Sequence, residues 1–251
     1  MRIVVVGGTG LIGSRLVSLL HARSHHVVVA SRSEGIDALS GQGLATALRS
    51  AHVVVDVTNT TDVDGREPVH FFETITRNLI SAEAAAGVNH HVALSIVGAD
   101  KLTAGSYFEA KAMQEEIIKA SPIPYTIVRS TQFFELIHRM LGLDDDKPFI
   151  RLPRALLQPI ASDDVAMYLA DIAVSPPRDE TIELAGPARI ELSEVARLML
   201  SAEEDPRRVI VDPAQAYFGT QLAYESLLPG PDAHITSGTF SDWLRHQISP
   251  D

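Results

Sequence analysis

Apolar positions in the first 150 residues fall into two alternating patterns. Ile3–Val6, His26–Ala30, His52–Val57, His91–Ser95 and Tyr125–Arg129 are short runs rich in β-branched residues, the length and composition of buried strands. Between them the apolar residues recur at helical spacing. Leu11–Arg23 has Leu11, Ile12, Leu16, Leu19 and Leu20 on one face. Pro68–Ala86 has Phe71, Phe72, Ile75 and Leu79, with Gly87 to end it. A short helix is predicted over Gly41–Ser50, a longer one over Tyr107–Ala120 before Pro122, and another over Thr131–Leu141. Strand and helix in alternation, with crossovers long enough for helices, predict an α/β fold with a parallel, doubly wound sheet. Past residue 150 the pattern shortens and is broken by Pro153, Pro159, Pro176, Pro177 and Pro187. A helix at Asp163–Val174, a strand at Thr181–Leu184 and a helix at Glu191–Ser201 are its clearest elements. No internal repeat or low-complexity tract is present.

The first strand runs into Gly7-Gly-Thr-Gly10-Leu-Ile-Gly13. In a strand–turn–helix, the first glycine of this spacing permits the tight turn and the second admits a pyrophosphate close to the backbone. The third lets helix and strand pack closely, and the helix N-terminus offers N–H groups to the phosphates. Thr9, Leu11 and Ile12 complete that loop. The implied ligand is a dinucleotide. Ligands in such sheets bind beyond the carboxyl ends of the strands, so those ends carry the chemistry. After the second strand stands Ser31-Arg32-Ser33 where an acidic residue would favour NAD. Arg32 offers a fork for a 2′-phosphate, and both serines add donors, so NADP(H) is favoured over NAD(H), with Glu34 close by as the counterweight. After the third strand, Thr58 is placed to line adenine or ribose, and Asp56 to brace the glycine loop from a buried position.

Tyr107 and Lys111 stand at i and i+4 at the head of a helix, on one face. A lysine ammonium beside a phenol favours the phenolate, which would lower the tyrosine pKa towards a general acid/base range. The net charge of −11 disfavours nucleic acid as the main partner. The absence of cysteine excludes disulfides and thiol catalysis. No apolar stretch is long enough to span a membrane, and no leader precedes the first strand, so a cytoplasmic protein without a membrane partner is expected. His25/His26 and His90/His91 precede strands without ligand spacing, so no metal site is expected. Asp144-Asp145-Asp146 reads as a solvated loop.

The glycine loop, Tyr107 with Lys111, and Ser121-Pro-Ile-Pro-Tyr-Thr-Ile-Val-Arg129-Ser-Thr-Gln-Phe-Phe134 together resemble the atypical short-chain dehydrogenase/reductase superfamily, in particular its NmrA-like NAD(P)H-binding branch. Ile160-Ala-Ser-Asp-Asp-Val165, Leu184-Ala-Gly-Pro187 and Phe240-Ser-Asp-Trp-Leu244 are similar to that group as well. The resemblance implies a Rossmann-type NAD(P)-binding domain over 1–150. A smaller substrate lobe over 151–251 would be interleaved with it in one NmrA-like unit. It implies that Tyr107 moves the substrate proton, that Lys111 holds the nicotinamide ribose, and that the segment 129–134, Ser130 included, lines nicotinamide and substrate. The third catalytic member of the family is a hydroxyl near the end of the fourth strand. Ser95, twelve residues before Tyr107, has a compatible spacing, although in many relatives the hydroxyl sits where this chain has Ile96 and Val97. Phe108, Phe133, Phe134 and Met140 offer an apolar wall for a flat ring, although core packing accounts for some of them equally well. His138, on the helix after Phe133-Phe134, is a candidate to face the same pocket, although a histidine there is more often an ordinary helix-surface residue. The expected activity is NADP(H)-dependent reduction of a hydrophobic carbonyl, quinone or aromatic polyketide-like molecule, with oxygenation of the reduced ring as an extension. The alternatives are a non-catalytic NADP(H) sensor and, third, an epimerase or dehydratase. A monomer or homodimer is expected.

Overall fold

Burial sets in at the N-terminus: Ile3, Val4 and Val5 are wholly buried, as in a strand covered on both faces. They lie in β1 (Arg2–Val6) of a computed structural model that describes residues 1–60, 67–102, 106–141 and 148–248. The chain continues through α1 (Leu11–Ala22), β2 (His26–Ala30), α2 (Leu44–Ala47), β3 (Val53–Asp56), α3 (Glu67–Ala86), β4 (His90–Ile96), α4 (Ser106–Lys119) and β5 (Tyr125–Ser130). It then forms α5 (Phe134–Met140), β6 (Phe149–Leu152), β7 (Leu156–Leu157), α6 (Ser162–Val174), β8 (Glu180–Ala185) and β9 (Ile190–Glu191). The last elements are α7 (Leu192–Ala202), β10 (Arg208–Val211), β11 (His234–Ile235) and α8 (Phe240–Ile248).

The main sheet has seven strands in the order β11-β8-β5-β4-β3-β1-β2. Its neighbours all pair in parallel. This is the expected doubly wound, Rossmann-type α/β fold, with the order reversing between β1 and β3 at the switch point. Side chains of β1 alternate between two layers. Ile3 and Val5 pack with Leu16, Leu20, Val165 and Leu169 of α1 and α6, while Val4 and Val6 pack with Ile75 and Leu79 of α3.

The helices and strands expected before residue 130 are all present, with shifts of a few residues at their ends; the predicted Gly41–Ser50 helix contracts to α2. The helix expected from Thr131 starts three residues later, at Phe134. His90 and His91 lie inside β4 rather than before it. Their rings face opposite layers: His90 Nε2 lies 2.9 Å from Thr126 Oγ1, and His91 Nδ1 lies 2.9 Å from the buried Glu83 carboxylate. Residues 149–248 add α6, β8 and β11 to the main layers and build two small sheets, β6 with β10 in parallel and β7 with β9 antiparallel. A second core, including Leu157, Leu192, Val195 and Met199, ties this region to Phe108 and Ile137. Asp144-Asp145-Asp146 and the side chain of Met140 lie outside the described residues.

Candidate cofactor and active site

At the end of β1, Gly7 adopts φ +80°, a conformation that glycine takes without steric cost. Its N–H donates to Ala30 O at 2.9 Å, and its own carbonyl accepts from Gly10 N at 3.0 Å. A Cβ built on Gly13 would stand 2.2 Å from Gly7 O, so only glycine lets α1 begin directly against the turn. Gly10 is extended, caps α1 with no side-chain hydrogen bond, and is followed by a first turn without acidic residues. The first N–H groups of this helix are therefore available to an anion, with the positive end of the helix dipole behind them. Ile12 is buried in the core, so it can serve a ligand only through its backbone; Thr9 is exposed and Leu11 half-buried.

Beyond β2, Ser31 and Ser33 bring their hydroxyls to 2.9 Å of one another on either side of the exposed Arg32. Among the described residues, Arg32 forms no ion pair, and Glu34 closes the short helical turn that Arg32 opens. Beyond β3, Asp56 is buried and braces the adjoining loop rather than the glycine turn. One carboxylate oxygen accepts from Thr58 N at 2.9 Å and the other from Gln114 Nε2 at 2.9 Å. Thr58 Oγ1 is buried with no partner among the described residues. Directly after β5, Thr131 Oγ1 and both amide atoms of Gln132 are buried and equally unpartnered. Orphaned buried polar atoms are costly unless a ligand or water satisfies them. Their position at the carboxyl ends of β3 and β5, with the glycine cradle at β1, fits a dinucleotide. Gly7, Gly10 and Gly13 with the first turn of α1 would hold its pyrophosphate, and Ser31 to Ser33 and Thr58 its adenosine half.

α4 starts beside these strand ends and presents Tyr107 in its first turn. The Tyr107 hydroxyl donates to Asn59 Oδ1 at 3.0 Å. Burial pushes its pKa up to about 12, against the opposing effect of that hydrogen bond. This corrects the expectation of a lowered value. Lys111 lies on the same helical face but directs its ammonium inward. It donates to Leu94 O at 2.8 Å and to Gln114 Oε1, and stands 4.4 Å from the centre of the Phe72 ring. Burial lowers its pKa to about 8, although Asp56 and Glu115 favour the charged form. An ammonium held this way is not directed at the phenol, which is why the spacing alone misjudged the tyrosine.

Four further expectations are corrected by the geometry. Ser95 is buried and donates its hydroxyl to Glu115 Oε1 at 2.6 Å, deeper along α4 than Tyr107. Glu115 also receives both Nε (2.8 Å) and a terminal nitrogen (2.7 Å) of Arg129, so Ser95 belongs to a buried ionic cluster under the site. Phe108 is wholly buried in the second core. Phe134 packs on Phe240 and Trp243 with ring centres 5.4 and 5.6 Å away, again as core. His138 reaches Glu203 near the surface instead of a pocket. Phe133 is half-buried against the α1–α6 core, and Ser130 is buried at the end of β5 beside Ile96. Asn59, Gln114 and Phe218 were missed. Asn59 and Gln114 have no spacing signal, since each is recruited across the fold. Phe218 sits in Tyr217-Phe-Gly-Thr220, where an aromatic pair before glycine is a turn signal at most.

The family model described as NAD(P)H-binding matches residues 7–176. An epimerase family protein of Bos taurus is 47% identical over 47 residues, a match that spans 19% of this chain and 16% of that protein. The fold is similar to that of the dTDP-glucose 4,6-dehydratase DesIV of Streptomyces venezuelae, solved with NAD. The TM-score is 0.76 and the identity 19%, over 99% of this chain and 96% of the other. It is also similar to the dTDP-4-dehydrorhamnose reductase of Bacillus anthracis in complex with NADP, with TM-score 0.69 and 15% identity over 96% and 92% of the two chains. Matched from its glycine turn through α6, the chain belongs to the NAD(P)H-binding family.

Proposed function

We propose that this protein is an NADPH-dependent reductase of a hydrophobic carbonyl or quinone. The observation that carries this reading is the placement of Tyr107. Its hydroxyl lies one hydrogen bond from Asn59, in the loop whose Thr58 abuts Gly7 of the cofactor turn. A phenol kept neutral by burial carries its proton at physiological pH, and the alkoxide oxygen that hydride addition to a carbonyl creates is basic enough to take it. When bound, the reduced nicotinamide supplies a hydride. Tyr107 supplies the proton to the substrate oxygen, and Asn59 orients the phenolic hydroxyl between turnovers. Lys111, fixed by Leu94 O and Gln114, positions the helix turn beneath Tyr107. Arg32 with Ser31 and Ser33 supports the choice of NADPH, since a guanidinium fork suits a 2′-phosphate. The partly exposed Phe218 ring, its centre 5.7 Å from that of Tyr107, supports an apolar, planar substrate.

NADPH oxidation followed with 1,4-naphthoquinone and a panel of aromatic ketones tests the reading. Acceptor-dependent oxidation is expected; oxidation no faster than the acceptor-free background with every acceptor contradicts it. A second reading, epimerase or dehydratase action on a nucleotide sugar, is favoured by the likeness to DesIV and to the Bos taurus protein. Conversion of UDP-glucose or dTDP-glucose without an added acceptor would select it.

A further inference from the structure

Tyr217 and Thr220 exchange backbone hydrogen bonds of 2.8 and 3.0 Å around a two-residue turn. Both central residues have positive φ, +47° at Phe218 and +77° at Gly219, the pattern of a type I′ turn. Glycine, asparagine or aspartate adopts the first central position at less cost than a phenylalanine does. Residues held in such conformations by their surroundings cluster where function needs a side chain in one place. The ring at this position has a definite target. Tyr217 anchors the turn in the second core, 4% exposed, and Phe218 projects from it to within 5.7 Å of the Tyr107 ring at 38° between planes. Among the described residues, Tyr107 also meets the wholly buried Phe72 and Phe108, both edge-on, at 80° and 86°. Phe218 is the partly exposed, more nearly face-on member of the set.

We propose that Phe218 is a specificity-determining residue: its ring forms one wall of the substrate site at Tyr107 and selects a planar aromatic substrate over a saturated or sugar-like one. The proposal rests on the reading of Tyr107 as the residue that meets substrate. A flat ring whose oxygen reaches the Tyr107 hydroxyl meets the Phe218 face, and offset or tilted stacking rewards it beyond area burial. A puckered ring gains no such contact and leaves the face of Phe218 poorly covered. The strained turn thus gives the second half of the chain a direct part in choosing what the first half acts on.

The test compares Phe218→Asn, Phe218→Leu and Phe218→Tyr with the wild type, all with saturating NADP⁺. Asparagine suits the turn but has no ring, leucine keeps apolar bulk without a π face, and tyrosine keeps the ring. Affinities for 2-naphthol and for its saturated counterpart trans-2-decalol are measured by calorimetry. The wild type and Phe218→Tyr are expected to prefer 2-naphthol. The asparagine and leucine variants are expected to bind it about tenfold more weakly, with trans-2-decalol unchanged within about twofold. Undiminished 2-naphthol affinity in Phe218→Leu overturns the proposal. So does an equal loss of both ligands, unfolding of both ring-deleted variants, or a wild type without aromatic preference. Aromatic preference that depends on Phe218 in a protein that oxidises no NADPH with 1,4-naphthoquinone keeps this proposal and sinks the reductase reading instead.

Discussion

Lys111 carries a charge where charge is costly. Its ammonium is held by Leu94 O, Gln114 and the face of Phe72, with 3% of the residue exposed, and its pKa falls to about 8. The folded pKa is below the ordinary lysine value, so between about pH 8 and 10 the unfolded chain binds more protons than the native one, and stability rises with pH. Lys111→Met lacks this group. Urea denaturation of cofactor-free protein is therefore expected to show the wild-type-minus-variant stability rising by about 2 kcal/mol between pH 7.5 and 10. A pH-independent difference would mean that Lys111 titrates normally. The i, i+4 spacing of Tyr107 and Lys111 was legible because helical periodicity is a local property. The direction of the ammonium was not, because Leu94 of β4 and Gln114 of the next turn of α4 hold it, and Gln114 is itself held by Asp56 at the end of β3. The same locality explains Phe108: one residue beyond Tyr107 on a helix is a rotation of about 100°, enough to turn it from the site into the core.

The β1–turn–α1 unit is the element on which cofactor binding depends, and its tolerance for change is small. A methyl group at position 13 would meet Gly7 O at 2.2 Å and the Gly8 Cα at 2.7 Å, both backbone atoms that cannot step aside. Gly13→Ala is expected to cost about 3 kcal/mol of stability, or to push α1 off the turn. In either case NADPH affinity, read by the change in nucleotide fluorescence, should drop at least about tenfold. Unchanged affinity and stability would contradict the geometry of the turn. This element was fully readable from sequence, since parallel strands buried on both faces give continuous apolar runs and glycine spacing marks the turn. The short strands β6, β7 and β9 to β11 were not, because two to four residues carry no measurable period and their pairing is decided by partners distant in sequence. β11 illustrates this: His234 and Ile235 are largely exposed and join the main sheet only through β8. Ser95 shows the limit at a strand end. Its distance from Tyr107 along the chain was compatible with a catalytic hydroxyl, and Glu115, a helical residue opposite, claims it instead.

At the scale of the whole molecule, cofactor binding and folding are linked, since the site is assembled from turns that exist only in the native sheet. Saturation with NADP⁺ at about a hundredfold its Kd should raise stability by about 2.7 kcal/mol. NAD⁺ at the same concentration should raise it less if Arg32, Ser31 and Ser33 receive a 2′-phosphate. Arg32→Ala should remove the difference between the two nucleotides in thermal unfolding; a difference that persists would place the discriminating contact elsewhere. The chain is strongly acidic, at −11, so the proposed site would draw in an anionic cofactor through local features, the α1 N-terminus and Arg32, rather than through the overall field. The β1–β5 core was visible as a whole in the hydrophobic pattern. The region past residue 150 that brings Phe218 to Tyr107 was not, because the second core it joins is pieced together from short segments separated by prolines and joined only in three dimensions. The most direct measurement is NADPH oxidation with 1,4-naphthoquinone by the wild type and by Tyr107→Phe, with NADPH affinity determined on the same samples. Turnover in the variant should fall by about a hundredfold or more while the NADPH Kd stays within about threefold. Equal turnover in the two proteins, or none in the wild type, would contradict the assignment of Tyr107 as the proton donor of a reductase.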